Sequence, residues 1–173
     1  MEIVLIRHGQ PEWMPGDVYT KNPGLTSLGK LQSEKSSSAF EETSVDEIWV
    51  SPLKRAQETF TPFKEKNIGK SIHTYEWLQE MQDHEEEALY GKDTEEVMAF
   101  FAKRNSQSFE EWSEGSHGKY MEDFSKNIVS NLEIELGNRG IIPLDAEFDR
   151  RFDLSASSIE RLMIISHAGT MSV

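Results

Sequence analysis

The hydrophobic positions of this chain fall into short runs separated by long polar stretches. Residues 3–6 are apolar and β-rich, the pattern of a strand buried on both faces, and the run stops at Arg7-His8-Gly9. Ile48-Trp49-Val50 is a second such run, stopping at Ser51-Pro52, and Leu162-Met163-Ile164-Ile165 is a third, stopping at Ser166-His167-Ala168-Gly169. A further strand is expected around residues 71–75. Between the runs the spacing turns helical. Thr26 is placed to cap a helix carrying Leu28 and Leu31, whose apolar face weakens in the serine run 36–38. Ser51 and Pro52 read as cap and first position of a helix to about Lys66, with Ala56, Thr59, Phe60 and Phe63 inside and Arg55 in the first turn. Residues 93–104, with Asp93 and Glu96 spaced as cap and partner, and residues 119–136, with Ile128, Leu132 and Leu136 on one face before Gly137, read as two more helices. Prolines and glycines in residues 10–24 predict a pocket-shaping loop, and residues 109–118 read as a loop or lid. Strands alternating with helices give an α/β fold with a mostly parallel sheet.

Composition narrows the function classes. With 173 residues there is room for one domain, and no interdomain linker is visible. The 18 Lys+Arg against 31 Asp+Glu leave a formal charge of −13, the wrong sign for tracking nucleic acid or an anionic membrane. Residues 76–96 are densely acidic, with Lys92 as their one base, and read mostly as solvated surface. Without cysteine, thiol nucleophiles, disulfides and thiolate zinc sites are excluded. The first residues lack a basic, apolar leader, and no stretch approaches a membrane span, so a cytoplasmic protein is expected.

The chemistry collects where the apolar runs stop. In an open α/β sheet ligands bind beyond the carboxyl ends of the strands, which brings Arg7, His8, Arg55 and His167 into one expected site. Taken singly, a strand-end arginine is more often a surface ion pair and a histidine a satisfied polar residue. Together, two guanidiniums and two imidazoles suit a phosphoryl group, and a glycine near each histidine allows close backbone approach. His73, His84 and His117 lack ligand spacing and carry no such expectation. Trp13, Tyr19, Trp77 and Trp112 read as packing, with Trp13 and Tyr19 close enough in sequence to His8 to touch a substrate.

An ordered set of motifs then points to a family. Leu5-Ile6-Arg7-His8-Gly9, Leu25-Thr26 with Gly29 and Gln32, residues 51–59 (SPLKRAQET), Leu78-Gln79-Glu80 and residues 166–170 (SHAGT) resemble the histidine phosphatase superfamily, the phosphoglycerate mutase-like group. RHG alone would recur by chance; the ordered series in its strand and helix contexts does not. The resemblance implies a three-layer α/β/α domain over residues 1–173, with a helical cap inserted at about 83–150. Relatives continue past S-H-x-G-T with a covering helix, where only Met171-Ser172-Val173 follow here. Two readings stand, a domain whose C-terminal end lies beyond Val173 or a naturally short variant, and missing cover would leave apolar sheet surface exposed or set against a partner subunit, with which a homodimer is compatible.

The resemblance further implies His8 as nucleophile, with Arg7, Arg55, His167 and Ala168 around the phosphate and Glu80 as acid and base. No cofactor and no metal are implied. The acids at 83 and 85–87 offer a like-charge repulsion that would raise the Glu80 pKa, although exposed charges at that range are screened. The expected activity is metal-independent phosphomonoester hydrolysis on a small phosphorylated substrate. Two alternatives stand beside it. One is phosphoglycerate mutase-type transfer, against which Met14 stands where such mutases carry an asparagine. The other is a non-catalytic phosphate or phosphoprotein binder, against which His8, Glu80 and His167 are all retained.

Overall fold

The computed structural model describes residues 1–40, 45–82, 84–114, 116–144 and 151–172. In chain order the elements are β1 (Glu2–Arg7), α1 (Ser27–Ala39), β2 (Glu47–Val50), α2 (Lys54–Lys66), β3 (Ser71–Thr74), α3 (His84–Glu87), α4 (Thr94–Asn105), α5 (Phe109–Glu114), α6 (Ser116–Gly137), β4 (Ile142–Leu144), β5 (Arg151–Asp153), β6 (Arg161–Ser166) and α7 (Ala168–Met171). Short 3-10 turns at Pro15–Asp17 and Glu76–Leu78 complete them.

Four strands form a parallel sheet in the order β1-β6-β2-β3, and β4 and β5 make a separate antiparallel pair. Alternation along β2 and β6 divides the core. Ile48, Val50, Met163 and Ile165 face Ala56, Phe60 and Phe63 of α2, while Trp49, Leu162 and Ile164 face Leu78 and Leu136 on the α6 side. Central strands buried on both faces carry the continuous apolar runs expected of them. The first run is a correction: β1 pairs only with β6 among the described residues, so Ile3 and Leu5 stay exposed and Ile6 alone is buried.

Two helix boundaries also differ from expectation. Thr26 and Asp93 cap α1 and α4 as their spacing required, accepting from Gly29 and Glu96 N–H. Helix α2, however, starts at Lys54 with Leu53 at its cap and no side-chain cap bond. Ser51 is not the cap because its hydroxyl is engaged elsewhere, by Leu53 N–H and by the His167 ring. Residues 109–114 and 116–118 are helical rather than a loop. The signal for the first stretch was a capping box: Ser108 Oγ accepts from Glu111 N–H at 3.2 Å, and Glu111 Oε2 accepts from Ser108 N–H at 2.8 Å. The side chains of His84, Trp112 and His117 lie outside the described part of the structure. Among the described residues no helix is long and apolar enough to cross a membrane.

At the end of the sheet opposite the strand carboxyl ends, Arg139 follows α6 and is 8% exposed. It bonds to Glu47 Oε2 at 2.6 Å, to Glu135 O at 2.6 Å and Oε2 at 2.9 Å, and to Tyr75 Oη at 3.3 Å. Its guanidinium lies 4.6 Å from the Trp49 ring centroid, so α6 is fastened to β2 through a satisfied buried charge.

Candidate active site

Parallel pairing brings three strand ends level. Arg7 pairs with Ser166 and Val50 with Ile165, and the ladder continues one step as His8 N–H and Ser51 N–H donate to Ser166 O and Ile165 O, each at 3.0 Å. The His8 and His167 rings then stand 5.0 Å apart between centroids. Arg55 enters from the first turn of α2, and Glu80 from the segment after the Glu76–Leu78 turn. All the sequence-predicted site residues thus arrive at one end of the sheet, with Ala168 opening α7 directly after His167 and Arg7, the exposed member, at the end of β1.

The nucleophile candidate is rigidly held. His8 Nδ1–H donates to Gly9 O at 2.7 Å, which leaves the other ring nitrogen with its lone pair. Gly9 N–H in turn donates to Thr59 Oγ1 at 3.0 Å, and Gln10 N–H to Gln32 Oε1 at 2.8 Å. The glycine is required by packing against α1: a Cβ on Gly9 would stand 2.4 Å from Gly29 O. Its close approach is to the protein's own backbone.

Arg55 is fully buried, yet Nε, Nη1 and Nη2 have no hydrogen-bond partner among the described residues. It rests 4.8 Å from the Trp13 ring centroid, and the stack continues from Trp13 to Tyr19 and from Tyr19 to Tyr90, each step 5.7 Å. This wall joins the loop after His8 to the acidic segment, where Tyr19 N–H donates to Lys92 O and Gly91 N–H to Tyr19 O. His167 Nδ1 is also buried and unpartnered, while its Nε2 meets Ser51 Oγ at 2.8 Å. Ser51 Oγ accepts from Leu53 N–H and keeps a proton to give to Nε2; in the tautomer that accepts it the ring proton sits on Nδ1, the nitrogen 4.0 Å from Glu80 Oε2.

Burial and the arginines set the protonation states. Burial chiefly, then the Arg55 and Arg7 charges, hold the His8 pKa down at about 4, against the bond to Gly9, and burial with the same charges takes His167 down to about 2. Both imidazoles are neutral at pH 7. Glu80 is pushed above the ordinary carboxyl range by burial, opposed by Arg55, by N–H groups of Met81 and Gly169, and by Arg7. The expected repulsion from neighbouring acids is therefore replaced by desolvation; Asp83 lies outside the described residues. His8, Glu80 and His167 each offer one ligand atom within 4.8 Å of the others, a spacing that could hold a metal ion. The unpartnered guanidinium beside them favours an anion instead.

A family model described as the histidine phosphatase superfamily, branch 1, matches residues 3–140, most of the chain and all of the site except the last strand. The chain belongs to the histidine phosphatase superfamily. Among curated members of the superfamily, a 2,3-bisphosphoglycerate-dependent phosphoglycerate mutase of Bartonella henselae is 41% identical over 61 residues, 33% of this chain and 30% of that enzyme. A second mutase so described, from Parvibaculum lavamentivorans, is 38% identical over 61 residues, 33% of this chain and 29% of its own length. The match thus spans under a third of these relatives. An α-ribazole phosphatase structure from Shigella flexneri superposes with a TM-score of 0.67 at 20% identity, covering 99% of this chain and 76% of that one. A phosphoserine phosphatase from Entamoeba histolytica, in complex with 3-phosphoglyceric acid, gives a TM-score of 0.60 at 19% identity, covering 98% and 75%. These establish the phosphoglycerate mutase-like α/β fold.

Two site features were missed in the superfamily motifs. Ser51 was read as a helix cap although its serine-proline context equally allows the hydroxyl to turn toward the neighbouring strand end. Tyr90, the third ring of the wall, sits in the acidic segment read as solvated; its signal was an aromatic-glycine pair, Tyr90-Gly91, within a run of acids.

Proposed function

We propose that the protein is a metal-independent phosphomonoester hydrolase working through a phosphohistidine on His8. The observation that carries this reading is Arg55: a fully buried guanidinium with three unpartnered nitrogens, beside a neutral imidazole whose free lone pair faces the same space. A buried charge without a partner is costly, and a phosphate supplies the missing acceptors bidentately.

In this reading Arg7, Arg55, the His167 Nδ1–H and the backbone at Ala168 surround the phosphoryl oxygens. The free His8 nitrogen attacks phosphorus in line as the bond to the leaving oxygen breaks, and Glu80, protonated through its raised pKa, gives that oxygen a proton. In the second half Glu80 takes a proton from water, whose oxygen attacks phosphorus as the P–N bond breaks and inorganic phosphate leaves. Catalysis then rests on positioning and on cations fixed in a water-poor pocket. The chain acts as one domain in which the first part of the insert at about 83–150 caps the strand ends, as the hydrogen bonds of Tyr19 to residues 91 and 92 support, while α6 covers a face of the sheet. The Trp13–Tyr19–Tyr90 wall contacts the leaving group.

The test is hydrolysis of p-nitrophenyl phosphate in excess chelator, with trapping of the phosphoenzyme. Turnover and trapped phosphohistidine are expected from the wild type, and His8→Ala should lose both; phosphate binding without turnover in the wild type would leave only the binding-protein alternative. Mutase transfer is a second reading, favoured by the activity of the curated relatives. Phosphoglycerate interconversion that depends on added 2,3-bisphosphoglycerate, at a rate above hydrolysis, would establish it in place of the first.

A further inference from the structure

Glu80 sits in a segment with no regular structure of its own, between the Glu76–Leu78 turn and α3. Three consecutive positions before and at the carboxylate are nonetheless tied to one other element, the end of β6 and the start of α7. Ser166 Oγ–H donates to Leu78 O at 2.7 Å, Thr170 Oγ1–H donates to Gln79 O at 2.6 Å, and Gly169 N–H donates to Glu80 Oε1 at 3.1 Å. Ser166 is fully buried and Thr170 is 5% exposed, so these bonds form away from competing water. Gly169 completes the fit, since a Cβ there would stand 2.5 Å from Glu80 Oε1. His167 lies between these donors, so the strand end that presents the imidazole also carries the attachment points of the carboxylate.

From this geometry we infer that Thr170 is a positioning residue for the acid: its hydroxyl, through the Gln79 carbonyl, fixes the backbone from which Glu80 reaches the leaving oxygen. The inference rests on the reading of Glu80 as proton donor given above. Thr170 itself points at the Gln79 backbone, where it contributes a neutral buried hydrogen bond. Removing it leaves the phosphate-binding groups Arg7, Arg55 and His8 on their own elements and frees the Gln79-Glu80 backbone to drift. A displacement on the order of 1 Å at a reacting group can cost about a hundredfold, enough to be read in the step that needs the proton.

The experiment compares kcat/KM for p-nitrophenyl phosphate and phenyl phosphate, esters of similar shape whose leaving groups differ in their need for a proton. Glu80→Gln is expected to lose about a hundredfold or more on phenyl phosphate and far less on the nitrophenyl ester. Thr170→Val should show the same asymmetry at reduced size, about tenfold on phenyl phosphate, and Thr170→Ser should restore the wild-type ratio. The nitrophenyl ester doubles as the check on folding, because a merely structural lesion lowers both esters together. Thr170→Ala serves where the valine variant misfolds. Equal losses on the two esters in the folded threonine variants, with Glu80→Gln still asymmetric, overturn the inference alone. If Glu80→Gln itself is symmetric, or the wild type cleaves neither ester, the reading of Glu80 as acid falls and takes the inference with it.

Discussion

The two ends of the sheet each bury an arginine against a tryptophan, and they treat it in opposite ways. At the amino ends of the strands Arg139 is bound by Glu47, Glu135 and Tyr75 over the Trp49 ring. At the carboxyl ends Arg55 lies over Trp13 with no hydrogen-bond partner for any of its nitrogens among the described residues. The same side chain, buried in both places, is a fastener where its acceptors come from the chain and a receptor where they must come from outside. Charge and burial alone do not separate these roles; the list of partners does.

The sharpest way to break the comparison is to remove each guanidinium. Arg139→Met strands the partly buried Glu47 and Glu135 carboxylates and should cost about 2–3 kcal/mol of unfolding free energy, read by denaturant titration, with kcat per folded molecule unchanged. Arg55→Met removes an uncompensated charge, so its melting temperature should hold or rise while kcat/KM falls by about 10²–10³. Equal destabilisation by the two substitutions would show that Arg55 is a structural cation after all.

Acidification should act on the receptor end. The folded pKa of His8 is depressed to about 4 from an ordinary 6.5, so between those values the unfolded chain binds a proton that the folded one refuses. Stability is therefore complete above about pH 6.5 and falls as the pH drops toward 4, by up to about 1.4 kcal/mol per unit for this residue. His8→Asn should flatten that slope in the unfolding free energy measured from pH 7 to pH 4.5; an unchanged slope would place the histidine in a more open setting.

The sequence was readable wherever one local rule had no rival. Thr26 gives its hydroxyl proton to Gln10 while the oxygen still accepts from Gly29 N–H, and Asp93 accepts from Glu96 N–H, so no tertiary contact competes for the capping oxygens and α1 and α4 begin where expected. Ser51 had a rival, the His167 ring from a strand more than a hundred residues away, and tertiary contact took its hydroxyl from the helix. The apolar run of β1 looked the same as those of β2 and β6, because periodicity reports the character of a strand and not its place in the sheet order. Site residues at strand ends were legible because parallel strands expose their carboxyl ends together. Glu80 was found only through its L-x-E motif: it lies on no strand, and the bonds from Ser166, Gly169 and Thr170 that hold it cross about ninety residues. The Arg139 clasp left only the four-residue spacing of Glu135 and Arg139 as a trace, since Glu47 and Tyr75 come from other elements.

That clasp also makes α6 a strut. With 22 residues the helix is about 33 Å long at 1.5 Å per residue, and about 26 Å from its clasped end it carries Tyr120, whose hydroxyl receives Gln82 N–H two residues from Glu80. The strut is held along its length as well, because Leu132 and Leu136 pack against the core on that face of the sheet, so losing the clasp removes one support among several.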